Sequence, residues 1–212
     1  MIGLPIGAQR ASTSRGVAKA VLVATLATFI VAPAALAATP AGTATPMAVT
    51  IVPTAPATWL SIELWDLQLV NCTRTGGWVL ANGTCHLYGS GHYSAYVKPL
   101  TRAVGISDHV SRPYARLLAV RNLCNHWYDG SPAFRLRRAG FFSYNWGENI
   151  ACPNGNMSVR AAILASHRFF QAEKSTNGGH WRNLKNPKYT VLGIGVWKSG
   201  TRVRLVNDFY RP

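Results

Sequence analysis

Acidic side chains are scarce in this chain: seven Asp and Glu in 212 residues, against 22 Lys and Arg. A retained carboxylate is therefore more informative here than in an acid-rich protein. Two of the seven, Glu148 and Glu173, fall in the motif-dense stretch from Asn145 to Trp197. No Cys-x-x-Cys spacing occurs, which argues against a zinc cluster built from the four cysteines. The apolar run Ala20–Val31 is shorter than the roughly 20 residues a membrane-spanning helix needs, and no later run is longer, so no transmembrane segment is expected. No block of Lys and Arg concentrates the positive charge. The densest cluster is Arg135, Arg137 and Arg138, and a nucleic-acid partner is not expected. Internal repeats are absent, and so is any serine or thiol nucleophile motif.

What is present begins with an export signature. Arg10, Arg15 and Lys19 precede the apolar run, and Ala35-Leu36-Ala37 supplies a small-x-small cleavage pattern, so residues 1–37 read as a secretory signal peptide cut near Ala37. Residues 38–58, rich in Ala, Thr and Pro without an apolar period, read as a disordered leader. Residues 59–212 are long enough for one domain with its own core. Cleavage would leave 19 basic residues against seven acidic ones, a formal charge of +12 that favours anionic partners such as a cell-envelope polymer or lipid headgroups. Four cysteines in an exported chain imply two disulfides. Of the three pairings, Cys72–Cys85 with Cys124–Cys152 is preferred, because each joins sequence neighbours across loop-like sequence.

Helical spacing of Leu60, Leu64, Leu67 and Leu69/Val70 predicts a first helix over 59–70. Glycines 76, 77, 83, 89 and 91 mark turns. A second helix is predicted from Asp108 to Asn125, with Tyr114, Leu117, Val120 and Cys124 inward, and a short one from Ala133 to Ala139, capped by Gly140. Phe141–Ile150 reads as a strand. Met157–Lys174 is the clearest helix, and Glu173 shares its apolar face with Val159, Ile163 and Phe170; a carboxylate on a buried face must find a cation, a metal or donors. Tyr189–Trp197 and Arg202–Tyr210 read as a hairpin. This mixture predicts an α+β domain with helices covering a mainly antiparallel sheet.

Four motifs in order resemble the CAP superfamily (cysteine-rich secretory proteins, antigen 5 and pathogenesis-related 1 proteins), also called the SCP domain. They are Leu67-Gln68-Leu69-Val70-Asn71-x-x-Arg74 with the first helix, His126…Asp129-Gly130-Ser131-Pro132…Arg138-Ala139-Gly140, Gly147-Glu148-Asn149-Ile150-Ala151, and Gly179-His180…Asn183-Leu184…Gly193-x-Gly195. The likeness spans about Leu60 to Tyr210. It implies a three-layer α-β-α sandwich and a cleft lined by His126, Glu148, Glu173 and His180. Phe170 stands where many relatives have tryptophan, and Trp181 where many bacterial relatives have arginine; the second cysteine-rich domain of some animal relatives is missing.

Two imidazoles and two carboxylates at a cleft are chemistry for Zn²⁺, with His126 and His180 as the ligands and the glutamates nearby, or for a paired polar network without metal. Relatives that carry sterols or fatty acids add an apolar ligand groove to the expectation. The leading expectation is a secreted binding protein. Its rivals are a metal-dependent hydrolase with Glu148 or Glu173 as general base, and a basic protein held on the cell envelope by charge alone. His167, beside Ser166 and Arg168, is a decoy for the cleft histidine; His86, His92 and His109 sit among turns and are not expected as ligands.

Overall fold

The computed structural model describes residues 59–212; the expected signal peptide and leader lie outside them. A four-stranded sheet is built from β3 (Thr101–Arg102), β4 (Trp146–Ala151), β5 (Val191–Ser199) and β6 (Arg202–Tyr210), in the order β3-β5-β6-β4. Only β3 runs parallel to its neighbour; β5–β6 and β6–β4 are antiparallel. A two-residue ribbon, β1 (Trp78–Val79) with β2 (Cys85–His86), stands apart from it. The chain is an α+β, three-layer sandwich.

The alternation of β6 shows how the layers form, since successive strand residues face opposite sides. Val203, Leu205 and Phe209 enter a core shared with α1 (Trp59–Arg74), α5 (Val159–Ala172) and α6 (Gly179–Lys185). Val206 and Tyr210 face the other side, where α3 (Arg112–Arg121) and α4 (Pro132–Arg138) contribute Tyr114, Leu118 and Leu136. On β5, glycines occupy the side toward α3. A Cβ on Gly195 would lie 2.1 Å from the Ser111 carbonyl carbon, and one on Gly193 would lie 2.2 Å from Ile106 Cγ2. The Gly193-x-Gly195 motif thus lets helix backbone rest directly on the sheet.

Several elements differ from the sequence expectation for physical reasons. Leu60 and Leu64 are exposed, and α1 instead buries Ile62, Trp65, Leu69 and Val70 together with Glu63 and Asp66. The true stripe contains two acids, which an apolar template rejects. The second helix starts early, as a short α2 (Val104–Ile106) and a π-helical turn (Ser107–Ser111) leading into α3. It stops at Asn122, which takes the left-handed conformation, so Cys124 lies beyond it and Val120 faces outward. Residues 141–145 are irregular and only 146–151 form the strand. Helix α6, which carries His180, had no sequence assignment.

The opening motif proves structural. Asn71 brackets Leu100 with hydrogen bonds at both its amide and carbonyl. Arg74, fully buried, donates to the carbonyls of Lys98, Leu184, Asn186 and Tyr189. Both disulfides of the preferred pairing are present, Cys72–Cys85 and Cys124–Cys152.

Glu63 is neutralised by Arg102 at 3.0 Å and Arg112 at 2.7 Å. Asp66, equally buried, meets only the Asn207 amide, at 2.9 Å, among the described residues. Burial, against that hydrogen bond and aided by the charge of Glu63, pushes its carboxyl up to about 7. An acid whose folded-state pKa is raised keeps its proton in the folded state while the unfolded chain releases it. Its contribution to stability is therefore lost as pH rises from about 4 through 7. Asp66→Asn should match the parent near pH 4 and become the more stable protein by pH 8, by at most about 4 kcal/mol. Urea denaturation at both pH values reads this, and a difference that does not change with pH would show that Asp66 is ionised in the fold.

Candidate functional site

Edge strand β4 carries the centre of the site. Its Glu148 pairs across the ladder with Asp208 of β6, while Asn149 reaches the opposite layer. Glu148 is 7% exposed. One of its oxygens accepts from His126 Nδ1 at 2.7 Å, and the other accepts from Arg135 Nη2 at 2.5 Å. Arg135 lies on α4, whose start is set by Pro132 and by the Ser131 hydroxyl accepting from the Phe134 amide. From there its guanidinium stacks 3.5 Å over the Tyr114 ring and also donates to the carbonyls of His126 and Gly130. One arginine thereby holds both the glutamate and the loop that bears the histidine.

The second pair comes from the opposite layer. Helix α5 ends at Ala172, and Glu173 opens a single 3-10 turn (Glu173–Thr176), so the carboxylate leaves the buried stripe and lies only partly covered. It accepts from His180 Nδ1 at 2.7 Å and from the His180 backbone amide at 2.9 Å. Burial alone would raise its pKa, but the hydrogen bonds and charge of His180, with the Trp181 amide, hold it below the usual carboxylate value. Gly178 makes room, since a Cβ there would stand 2.3 Å from Glu173 Oε2. Phe170 stacks on the His180 ring at 4.5 Å, and Phe169 meets it edge-on at 5.6 Å. Asn149 donates to the His180 carbonyl and accepts from Asn183, which fixes α6 against β4.

His126 and His180 line one cavity of about 460 Å³, together with the polar Asn125 and Ser166, the apolar Ile150, Ala151, Pro153, Ala165 and Phe169, and the Cys124–Cys152 disulfide. All four expected residues are thus brought to this region, as two His–Glu couples. In each couple the carboxylate accepts at Nδ1, so that nitrogen carries the proton and Nε2 of a neutral ring is left with its lone pair. The glutamates back the histidines. Among the described residues no three His, Cys, Asp or Glu side chains form a set able to hold a metal ion. His167 is fully buried against Thr73 Oγ1 at 2.9 Å, its pKa pushed down to about 3 by burial, and takes no part in the cavity. His86 and His92 pack on Tyr93.

Sequence reasoning missed Arg135, Asp208 and Ser111. Asp208 is fully buried, accepts from Ser111 Oγ at 2.6 Å, and is pushed well above the usual carboxylate range by burial first and by the charge of Glu148 second. The signal was available: Val206, Asp208 and Tyr210 alternate onto one face of β6, so an acid stood in an inward position.

No protein-family model matches the chain, and no curated protein matches it. Solved structures do match in shape. An extracellular SCP-domain protein from Bacillus anthracis shares 21% identity at a TM-score of 0.50, over 75% of this chain and 45% of that one. NaASP2, crystallised with Zn²⁺, shares 15% identity at 0.48 over 70% and 78%, and BmVAL-1 shares 14% at 0.43 over 74% and 79%. The fold is SCP-like. This chain spans less than half the length of the Bacillus protein, and at these identities the likeness concerns fold alone. Within the SCP-like fold, the two His–Glu couples sit where sheet edge, α5, α6 and the loop before α4 meet.

Arg135→Met should leave Glu148 buried beside Asp208 without its cation, costing about 3–5 kcal/mol in urea denaturation. Adding Glu148→Gln should restore part of that loss. If the two changes simply add, Arg135 stabilises the domain through something other than Glu148.

Proposed function

We propose that this chain is an exported binding protein whose SCP-like cleft holds a divalent transition-metal ion, Zn²⁺ foremost, on the Nε2 atoms of His126 and His180. The observation that carries this is the pair of carboxylates at the two Nδ1 atoms. A carboxylate behind an imidazole fixes the tautomer, orients the ring and raises its basicity, which is the usual support of a metal-bound histidine. Imidazole nitrogen is a donor such an ion takes. Among the described residues there is no third protein ligand, so the remaining positions would belong to water or to a ligand's own donor atom. Bound there, the ion supplies Lewis acidity to a ligand oxygen. Two disulfides support export to an oxidising compartment.

The apolar wall of the same cavity, with Phe169 exposed along it, supports an amphipathic ligand: a polar group at the histidines and a hydrocarbon portion against Ile150, Ala151 and Ala165. The hydrolase reading has less support. All four glutamate oxygens already accept hydrogen bonds from His126, Arg135 or His180, so neither carboxylate faces the cavity as a free base.

Calorimetric titration of the full chain with Zn²⁺ tests the proposal. One site is expected, lost in His126→Ala and in His180→Ala, weakened about 10- to 100-fold in Glu173→Gln. It should also weaken as pH falls, because protons compete with the metal for the imidazole nitrogens. A folded protein that takes up no Zn²⁺, or takes it up equally in both histidine variants, would overturn the reading.

A further inference from the structure

A second pocket, away from the histidines, lies at the turn between β5 and β6. Its volume is about 510 Å³, and its walls are Asn122, Asn154, Ser199, Gly200, Thr201 and Arg202. Behind it sits Arg204, 1% exposed. Its guanidinium donates to the Leu123 carbonyl at 2.7 Å, the Val203 carbonyl at 2.9 Å, Asn154 Oδ1 at 3.1 Å and Asn122 Oδ1 at 3.2 Å. A guanidinium has donors only, so it must face the oxygen of each carboxamide. That turns the NH₂ groups of Asn122 and Asn154 away from Arg204, and neither makes a hydrogen bond among the described residues. The Thr201 hydroxyl is also without a partner among them, and Arg202 reaches only Ser199, through its carbonyl and hydroxyl at 3.3 and 3.5 Å.

The pocket is thus furnished with donors: two carboxamide NH₂ groups, two hydroxyls and one guanidinium. Its charge is also one-sided. Among the described residues no carboxylate pairs with Arg202 or Arg204, and Arg204 is buried against neutral dipoles alone. A buried cation without a counter-ion is costly, and an anion beside it offsets that cost. The walls are held rigidly. The Cys124–Cys152 disulfide fastens the segment after α3 to the segment after β4, two residues from Asn122 on one side and two from Asn154 on the other. Asn154 in turn bridges to Arg202.

We propose that this pocket is an oxyanion site that takes a phosphate group, as the free ion or as the exposed monoester of a lipid headgroup. Tetrahedral oxyanions offer only acceptors, and more of them than a carboxylate, which matches a wall whose unpartnered side-chain groups can all donate.

The test uses the full chain at fixed ionic strength, with two probes: inorganic phosphate followed by calorimetry, and vesicles of phosphatidic acid in phosphatidylcholine followed by sedimentation. The informative variant is Asn154→Asp. Its carboxylate still accepts from Arg204, so the fold should hold or gain thermal stability, but the donor is gone and a negative charge replaces it. Binding should weaken at least about tenfold in Asn154→Asp and in Arg202→Gln, the scale of losing one charge-assisted hydrogen bond. Lys188→Gln, which lowers net charge equally beside the far end of β5, should bind as the parent does. Saturation by phosphate assigns a site that accepts the free ion; saturation by vesicles alone, with the same dependence on Asn154, assigns the headgroup. If neither probe saturates, or if Asn154→Asp binds as well as the parent, there is no oxyanion site here.

Discussion

The contact on which the rest of the cleft depends is the buried bond between Arg135 and Glu148. Glu148 lies across the ladder from Asp208, and two carboxyl groups so placed in a buried interior cannot both ionise cheaply. Arg135 pairs with Glu148, and Asp208 is the group pushed toward its neutral form, with Ser111 as its partner. Glu148 in turn orients His126. The same arginine ties down the His126 and Gly130 carbonyls, so loop and carboxylate are positioned by a single side chain.

The wider chain follows a similar economy. Four of the seven acids, Glu63, Asp66, Glu148 and Asp208, are buried, and Glu173 is half-buried against His180. Asp108 and Asp129, the most exposed, are each paired with an arginine. Scarcity of acid in the composition is thus a shortage on the outside only. Nearly every carboxylate is spent in joining two elements: α1 to α3 through Glu63, β6 to the start of α3 through Asp208, α4 to β4 through Glu148, and α5 to α6 through Glu173.

The layers and the His–Glu couples were legible because motif and period coincided there. Gly147-Glu148-Asn149 falls on a strand, and the Met157–Lys174 period predicts α5 to within two residues at each end. Legibility failed where polar groups serve as core. The stripe on α1 was misplaced because Glu63 and Asp66 occupy inward positions and Leu60 and Leu64 outward ones. The end of α3 was overrun because Asn122, with φ of 54°, stops the helix in a conformation that no apolar period encodes. The 3-10 turn that swings Glu173 toward His180 depends on the room left by Gly178, which is a tertiary fact.

With the carboxylates folded inward, the outer surface is charged almost wholly by guanidinium and ammonium groups, which ordinarily hold their protons to about pH 10 and beyond. The attraction of this surface to anions therefore rests on groups that keep their charge from mildly acidic to alkaline water, whatever happens in the cleft.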